Sequence, residues 1–106
     1  MPKYNANKIP YNHQELLIDR FCTMLAELGE KSAIKYFLKD LLNRQERIML
    51  IRRLLVAKML LDGYTYDEIQ NKLKVGKGTI AKVSRWLYFG RGGYKKAISK
   101  FNAGKI

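Results

Sequence analysis

Lys77, Thr79, Lys82 and Arg85 stand at helical spacing inside a strongly basic stretch. Lysine and arginine donate hydrogen bonds to guanine edges, and threonine reaches a base or a thymine methyl. The quartet therefore has the chemistry of a base-reading face. Lys72, Lys74, Arg91, Lys95 and Lys96 surround it and suit phosphate oxygens. Residues 1–68 carry 11 basic and 9 acidic side chains, whereas residues 69–106 carry 10 basic ones and no Asp or Glu. A solubilising surface mixes both signs. An acid-free third points instead to a polyanion, above all nucleic acid.

Other chemistries find little support. Gly76-Lys77-Gly78-Thr79 has the look of a phosphate loop, but a Walker A loop needs a glycine at position 71, where Asn71 stands, and a strand leading into it. One cysteine, Cys22, and one histidine, His13, make neither an internal disulfide nor a zinc set. No nucleophile–base pair is visible, so the chain is not expected to be an enzyme or to need a cofactor or metal. Lys3 and Lys8 precede no apolar run, which excludes a signal peptide. The longest apolar stretches, Ile48–Ile51 and Leu54–Ala57, are too short to span a membrane. A soluble, cytoplasmic protein is expected.

The elements that must carry these residues read as helices. Apolar residues make up 47% of the 106 positions, enough for a packed core and too many for disorder. Both prolines, Pro2 and Pro10, lie in the first ten residues, leaving the rest free to be helical. Residues 1–11 read as a flexible arm and 12–106 as one domain. Asn12 and Glu15 suggest a capping pair before a helix that Gly29 would stop, and a second helix fits 31–42. Asn43 and Glu46 repeat the cap before a long helix ending near Gly63. That helix is apolar on two sides, through Ile48, Ile51, Leu55 and Met59 and through Leu50, Leu54, Ala57 and Leu61. A surface so nearly apolar all round must be covered on several sides, by a second subunit or inside a compact monomeric bundle.

Thr65 and Glu68 cap a short helix with Ile69 and Leu73 on its inner face. Gly76 and Gly78 read as breakers, and Thr79 as the lead of a second helix with Ile80, Val83 and Leu87 inward. Two short helices, a tight turn and this apolar pattern describe a helix-turn-helix over about 65–89. Gln70 and Lys74 depart from its commonest form, which has a small residue and a glycine there. Arg91-Gly92-Gly93 reads as a hinge before a last helix, Tyr94–Phe101. Trp86, Tyr88, Phe89 and Tyr94 interleave with Arg85 and Arg91, a mixture that suits base stacking; aromatics at helical spacing more often fill a core, and that reading is preferred. The alternative to duplex reading is an RNA- or ribosome-associated basic protein.

Leu41-Leu42-Asn43-Arg44-Gln45-Glu46-Arg47, the long helix after it, and Glu68 to Leu73 through Gly78-Thr79-Ile80 resemble the Trp repressor superfamily, in its Trp-repressor-like YerC/YecD-type branch. The resemblance covers about residues 13–100. It implies an all-α fold of five to six helices with a helix-turn-helix, an intertwined homodimer, and operator binding as a transcriptional regulator, most simply a repressor. It also implies a ligand pocket at Asn43, Arg53, Lys82, Val83 and Trp86. In the Trp repressor, tryptophan lies between two arginines. Arg53 matches the first, but Lys82 replaces the second and lacks its planar stacking surface. Val83 stands in place of a glycine, Trp86 of a small polar residue and Asn43 of a threonine. These changes predict a regulator that does not use tryptophan, and they name no other effector.

Overall fold

The computed structural model describes residues 6–104, and its chain divides between Leu41 and Leu42 into two compact units. Of the expected arm, residues 1–5 lie outside the described residues, Ala6–Lys8 form a single 3-10 turn, and Tyr11 already belongs to a helix. That helix, α1 (Tyr11–Leu28), starts one residue before the expected Asn12 cap. Pro10 takes the cap position at φ −56°, and its carbonyl accepts from the His13 and Gln14 N–H groups, both at 3.0 Å. Asn12 is thereby drawn inside the helix, and no side chain caps it. Gly29 ends α1 at φ +66°, a conformation that costs a residue with a Cβ. After it, α2 (Lys31–Leu41) runs alongside, with the Phe21 and Phe37 rings 6.2 Å apart.

The second unit opens with the anticipated capping box. Asn43 Oδ1 accepts from the Glu46 N–H and Glu46 Oε1 accepts from the Asn43 N–H, both at 2.9 Å, which starts α3 (Arg44–Leu61). At the far end Gly63 at φ +90° turns the chain. The Tyr64 N–H returns to the Met59 carbonyl and the Gly63 N–H to Leu60, satisfying carbonyls that the helix end would orphan. Three further helices follow: α4 (Tyr66–Leu73), α5 (Lys77–Phe89) and α6 (Gly93–Gly104). The described residues are therefore all-helical, with six α-helices and no strand.

One core holds α3 to α6 together. Val56, Ala57 and Met59 of α3, Ile69 of α4, Ile80, Val83 and Leu87 of α5, and Ile98 of α6 are buried, with Leu54, Leu60, Leu73, Val75 and Tyr94 packed against them. The anticipated inward positions 69, 80, 83 and 87 are all in it, and Leu73 and Val75 are half-buried at its edge. The α3 surface is divided. Val56, Ala57 and Met59 face this core, while Met49, Leu50 and Ile51 stay about half exposed or more.

Candidate nucleic-acid interface

The helix-turn-helix is built by α4, the turn 74–76 and α5. A second capping box sets where α4 begins: the Thr65 N–H donates to Glu68 Oε1 at 2.9 Å, and Thr65 Oγ1 accepts from the Glu68 N–H at 3.2 Å. These bonds with Thr65 hold the Glu68 carboxyl below its ordinary range, because they favour its charged form. Lys74 then caps the C-terminus of α4 in the left-handed region, φ 56° and ψ 44°, with its N–H on the Gln70 carbonyl. Among the described residues it is the one non-glycine at positive φ. A lysine thus occupies the site where this motif commonly has glycine, at a steric cost.

The start of α5 differs from expectation. Gly76, extended at φ −74° and ψ 153°, is the cap residue, so Lys77 and not Thr79 leads the helix, and Gly78 is carried inside the first turn. A glycine lowers helix propensity by only about 1 kcal/mol, and the burial of Ile80, Val83 and Leu87 behind it holds the turn helical. With those three residues inward, Gly78, Lys82, Arg85 and Phe89 form the stripe opposite the core, and Thr79 and Trp86 lie on one flank.

All nine basic and hydroxyl residues singled out above, Lys72, Lys74, Lys77, Thr79, Lys82, Arg85, Arg91, Lys95 and Lys96, are exposed. Two of the lysines sit over aromatic rings, Lys72 5.9 Å from the Tyr64 centroid and Lys95 5.6 Å from that of Tyr88. Lys77 makes an exposed ion pair with Asp67 Oδ1 at 2.9 Å, which ties the first turn of α5 to the first turn of α4.

Beside this face Arg53, Lys82, Val83 and Trp86 line a common cleft of about 300 Å³. Four of the five residues of the implied ligand pocket are therefore brought together by one chain. Asn43 is not in its lining and is committed to the α3 cap. Thr79 and Tyr94 complete the lining. The position of Thr79 was readable, since 79, 82, 83 and 86 share a helix flank; that of Tyr94 depends on how α6 folds back. The expectation that the aromatics fill the core is corrected. Tyr94 does pack against it, but Trp86, Tyr88 and Phe89 are exposed because positions 80, 83 and 87 take the inward stripe. Among the described residues no three His, Cys, Asp or Glu side chains could hold a metal, and no helix is long and apolar enough to cross a membrane.

The model of the Trp repressor protein family matches residues 17–102, most of the chain and all of the helix-turn-helix. The chain belongs to the Trp repressor family. It is also 30% identical over 83 residues to the uncharacterized protein YerC of Bacillus subtilis (strain 168), covering 78% of this chain and 80% of that one. The Trp repressor family is one of helix-turn-helix DNA-binding regulators and not of enzymes.

Proposed function

We propose that the protein is a homodimeric transcriptional regulator, acting in the cytoplasm as a repressor, that reads duplex DNA with the outer face of α5. The observation that carries this reading is the two-sided character of α5. Ile80, Val83 and Leu87 are sealed into the core, whereas Thr79, Lys82 and Arg85 stand free on a helix buttressed by α4. Such a helix can enter a major groove without unfolding anything behind it. In this reading Lys77, Thr79, Lys82 and Arg85 contact bases, and Lys72, Lys74, Arg91, Lys95 and Lys96 hold phosphates. Lys77 exchanges its Asp67 partner for DNA, an inexpensive trade for an exposed ion pair.

The dimer is supported by α3. Leu50 is 49% exposed and Ile51 58% exposed in the N-terminal half of a helix whose C-terminal half is already in the core. With Ile48 and Met49 also exposed, this end of α3 is apolar nearly all round, and such a surface is what a partner subunit covers. Tryptophan is not the effector in this reading. Lys82 offers a point charge instead of a stacking plane, and the isopropyl group of Val83 is packed into the core beside the cleft.

Selection from random duplexes, followed by footprinting of the winner, tests the proposal. A two-fold dimer protects two half-sites about 34 Å, or one helical turn, apart. Recovery of no preferred sequence, or a single protected patch bound by a monomer, contradicts it.

A further inference from the structure

The base and phosphate contacts proposed for the duplex leave the aromatic residues at the end of α5 without a role. Trp86 is 56% exposed and Phe89 85% exposed, the highest value for a large apolar side chain among the described residues; the two are three positions apart and share a side of α5, while Tyr88 is half exposed on the other flank. Beside them an open cleft of about 430 Å³ lies between α3, α5 and α6; it adjoins the Arg53–Lys82 cleft, with which it shares Trp86 and Tyr94. Trp86 and Tyr94 flank it, Gly90, Gly93 and Ala97 leave part of its surface free of long side chains, and Arg91 adds a cation. Gly90 is fixed there by packing, since a Cβ on it would strike the Trp86 carbonyl; beside Gly93 the space is open. Flat aromatic faces and bare backbone accept a planar group. The cations nearby, Arg91 and the Lys95 that sits over Tyr88, accept an anion, and no acidic residue follows Glu68 in the chain.

Planar groups joined by anions are the chemistry of an unpaired nucleic-acid strand. We propose that Trp86, Phe89 and the cleft between Trp86 and Tyr94 form a stacking platform for the bases of single-stranded DNA, with Arg91 and Lys95 on its phosphates. Stacking is sequence-tolerant because every base has a π-face, and interleaved cations track the backbone. Charge complementarity favours this occupant over a second copy meeting the patch by two-fold symmetry. Such a contact would set Arg91 and Lys95 against their own counterparts with no acid between them. DNA is the strand chosen because the platform prolongs the Lys82–Arg85–Phe89 stripe of the duplex-reading helix. The platform stands beside the duplex reading and does not depend on it.

Trp86 is the only tryptophan in the chain, so its fluorescence reports on the platform directly. Titration of the full-length protein at low salt with a dT oligonucleotide of about ten bases is expected to quench the emission saturably. Phe89→Ala, a change at an exposed site, should weaken that binding at least about fivefold, the lower end of what one stacked base contributes. Lys82→Ala should leave it unaltered. A dT strand that does not quench Trp86, or quenching that Phe89→Ala does not weaken, overturns the proposal. So does tenfold tighter binding of a matching rU strand, which would assign the platform to RNA. A Trp86 that acrylamide cannot reach in the free protein overturns it as well, because a second copy then covers the patch. Quenching by dT in a protein that selects no duplex would leave the platform standing and remove the duplex reading; selection without quenching would do the reverse.

Discussion

Replacing Lys74 by glycine should make the protein more stable and a weaker DNA binder at once. Lys74 holds φ 56° and ψ 44°, a conformation in which a Cβ crowds the backbone at a cost of roughly 1–2 kcal/mol. Glycine removes the crowding but begins from a freer unfolded chain, which takes back roughly 0.5–1 kcal/mol. The N–H bond from residue 74 to the Gln70 carbonyl survives the change, and the side chain is exposed. A net gain of about 0.5–1 kcal/mol remains, a rise of roughly 2–8 °C in the unfolding midpoint for a domain of this size. Circular dichroism at fixed protein concentration reads it, since a dimer's midpoint depends on concentration. In the same variant the loss of one phosphate contact should lower affinity for every duplex alike and reduce the slope of log K against log salt by about 0.9. Lys74→Asn, which tolerates the left-handed region but carries no charge, should reproduce the DNA effect with a smaller gain in stability. A Lys74→Gly protein that melts earlier than the wild type would show that the turn is not strained. An unaltered salt slope would remove Lys74 from the phosphate contacts.

Two further outcomes follow from the same structure. The bonds with Thr65 lower the pKa of Glu68 in the folded state, so its stabilising effect is complete above the ordinary carboxyl value of 4.5 and is lost as pH falls below it. Glu68→Gln keeps an acceptor for the cap; the gap in midpoint between it and the wild type should therefore be constant above pH 4.5 and narrow as pH falls below it in a series of thermal melts, and a gap that widens on acidification would refute the assignment. Free tryptophan should give no heat of binding and no change in duplex affinity. Lys82→Arg with Val83→Ala, chosen over glycine because Val83 is buried, should begin to restore binding, and micromolar binding by the unaltered protein would contradict the reading of the cleft.

What could be read from the residues alone was mainly what is local. The Asn43–Glu46 and Thr65–Glu68 boxes form as anticipated because each needs only two side chains three positions apart. Asn12 and Glu15 have the same spacing and fail, since Pro10 starts the helix first through its fixed φ. Gly78 looked like a breaker, yet tertiary burial of Ile80 and Val83 holds it in the helix. Trp86 and Phe89 show the limit of residue type as a guide. Both are apolar, but the 80–83–87 stripe decides which side of α5 is inside, and they fall off it. The exposure of the nine basic and hydroxyl residues was legible because charged side chains stay in solvent. The place of Tyr94 in the Arg53–Lys82 cleft was not, as it requires α6 to return against α5.

On the proposed reading α5 reads bases while the surrounding lysines only hold phosphates. Measuring Lys82→Ala and Lys96→Ala side by side, on the selected duplex and on a scrambled one across a salt series, tests this most directly. Lys82→Ala should lose on the order of 1–3 kcal/mol on the selected duplex and little on the scrambled one, whereas Lys96→Ala should weaken both equally and lower the salt slope by about 1. Equal losses for the two variants on both duplexes would contradict the assignment of α5 as the recognition helix.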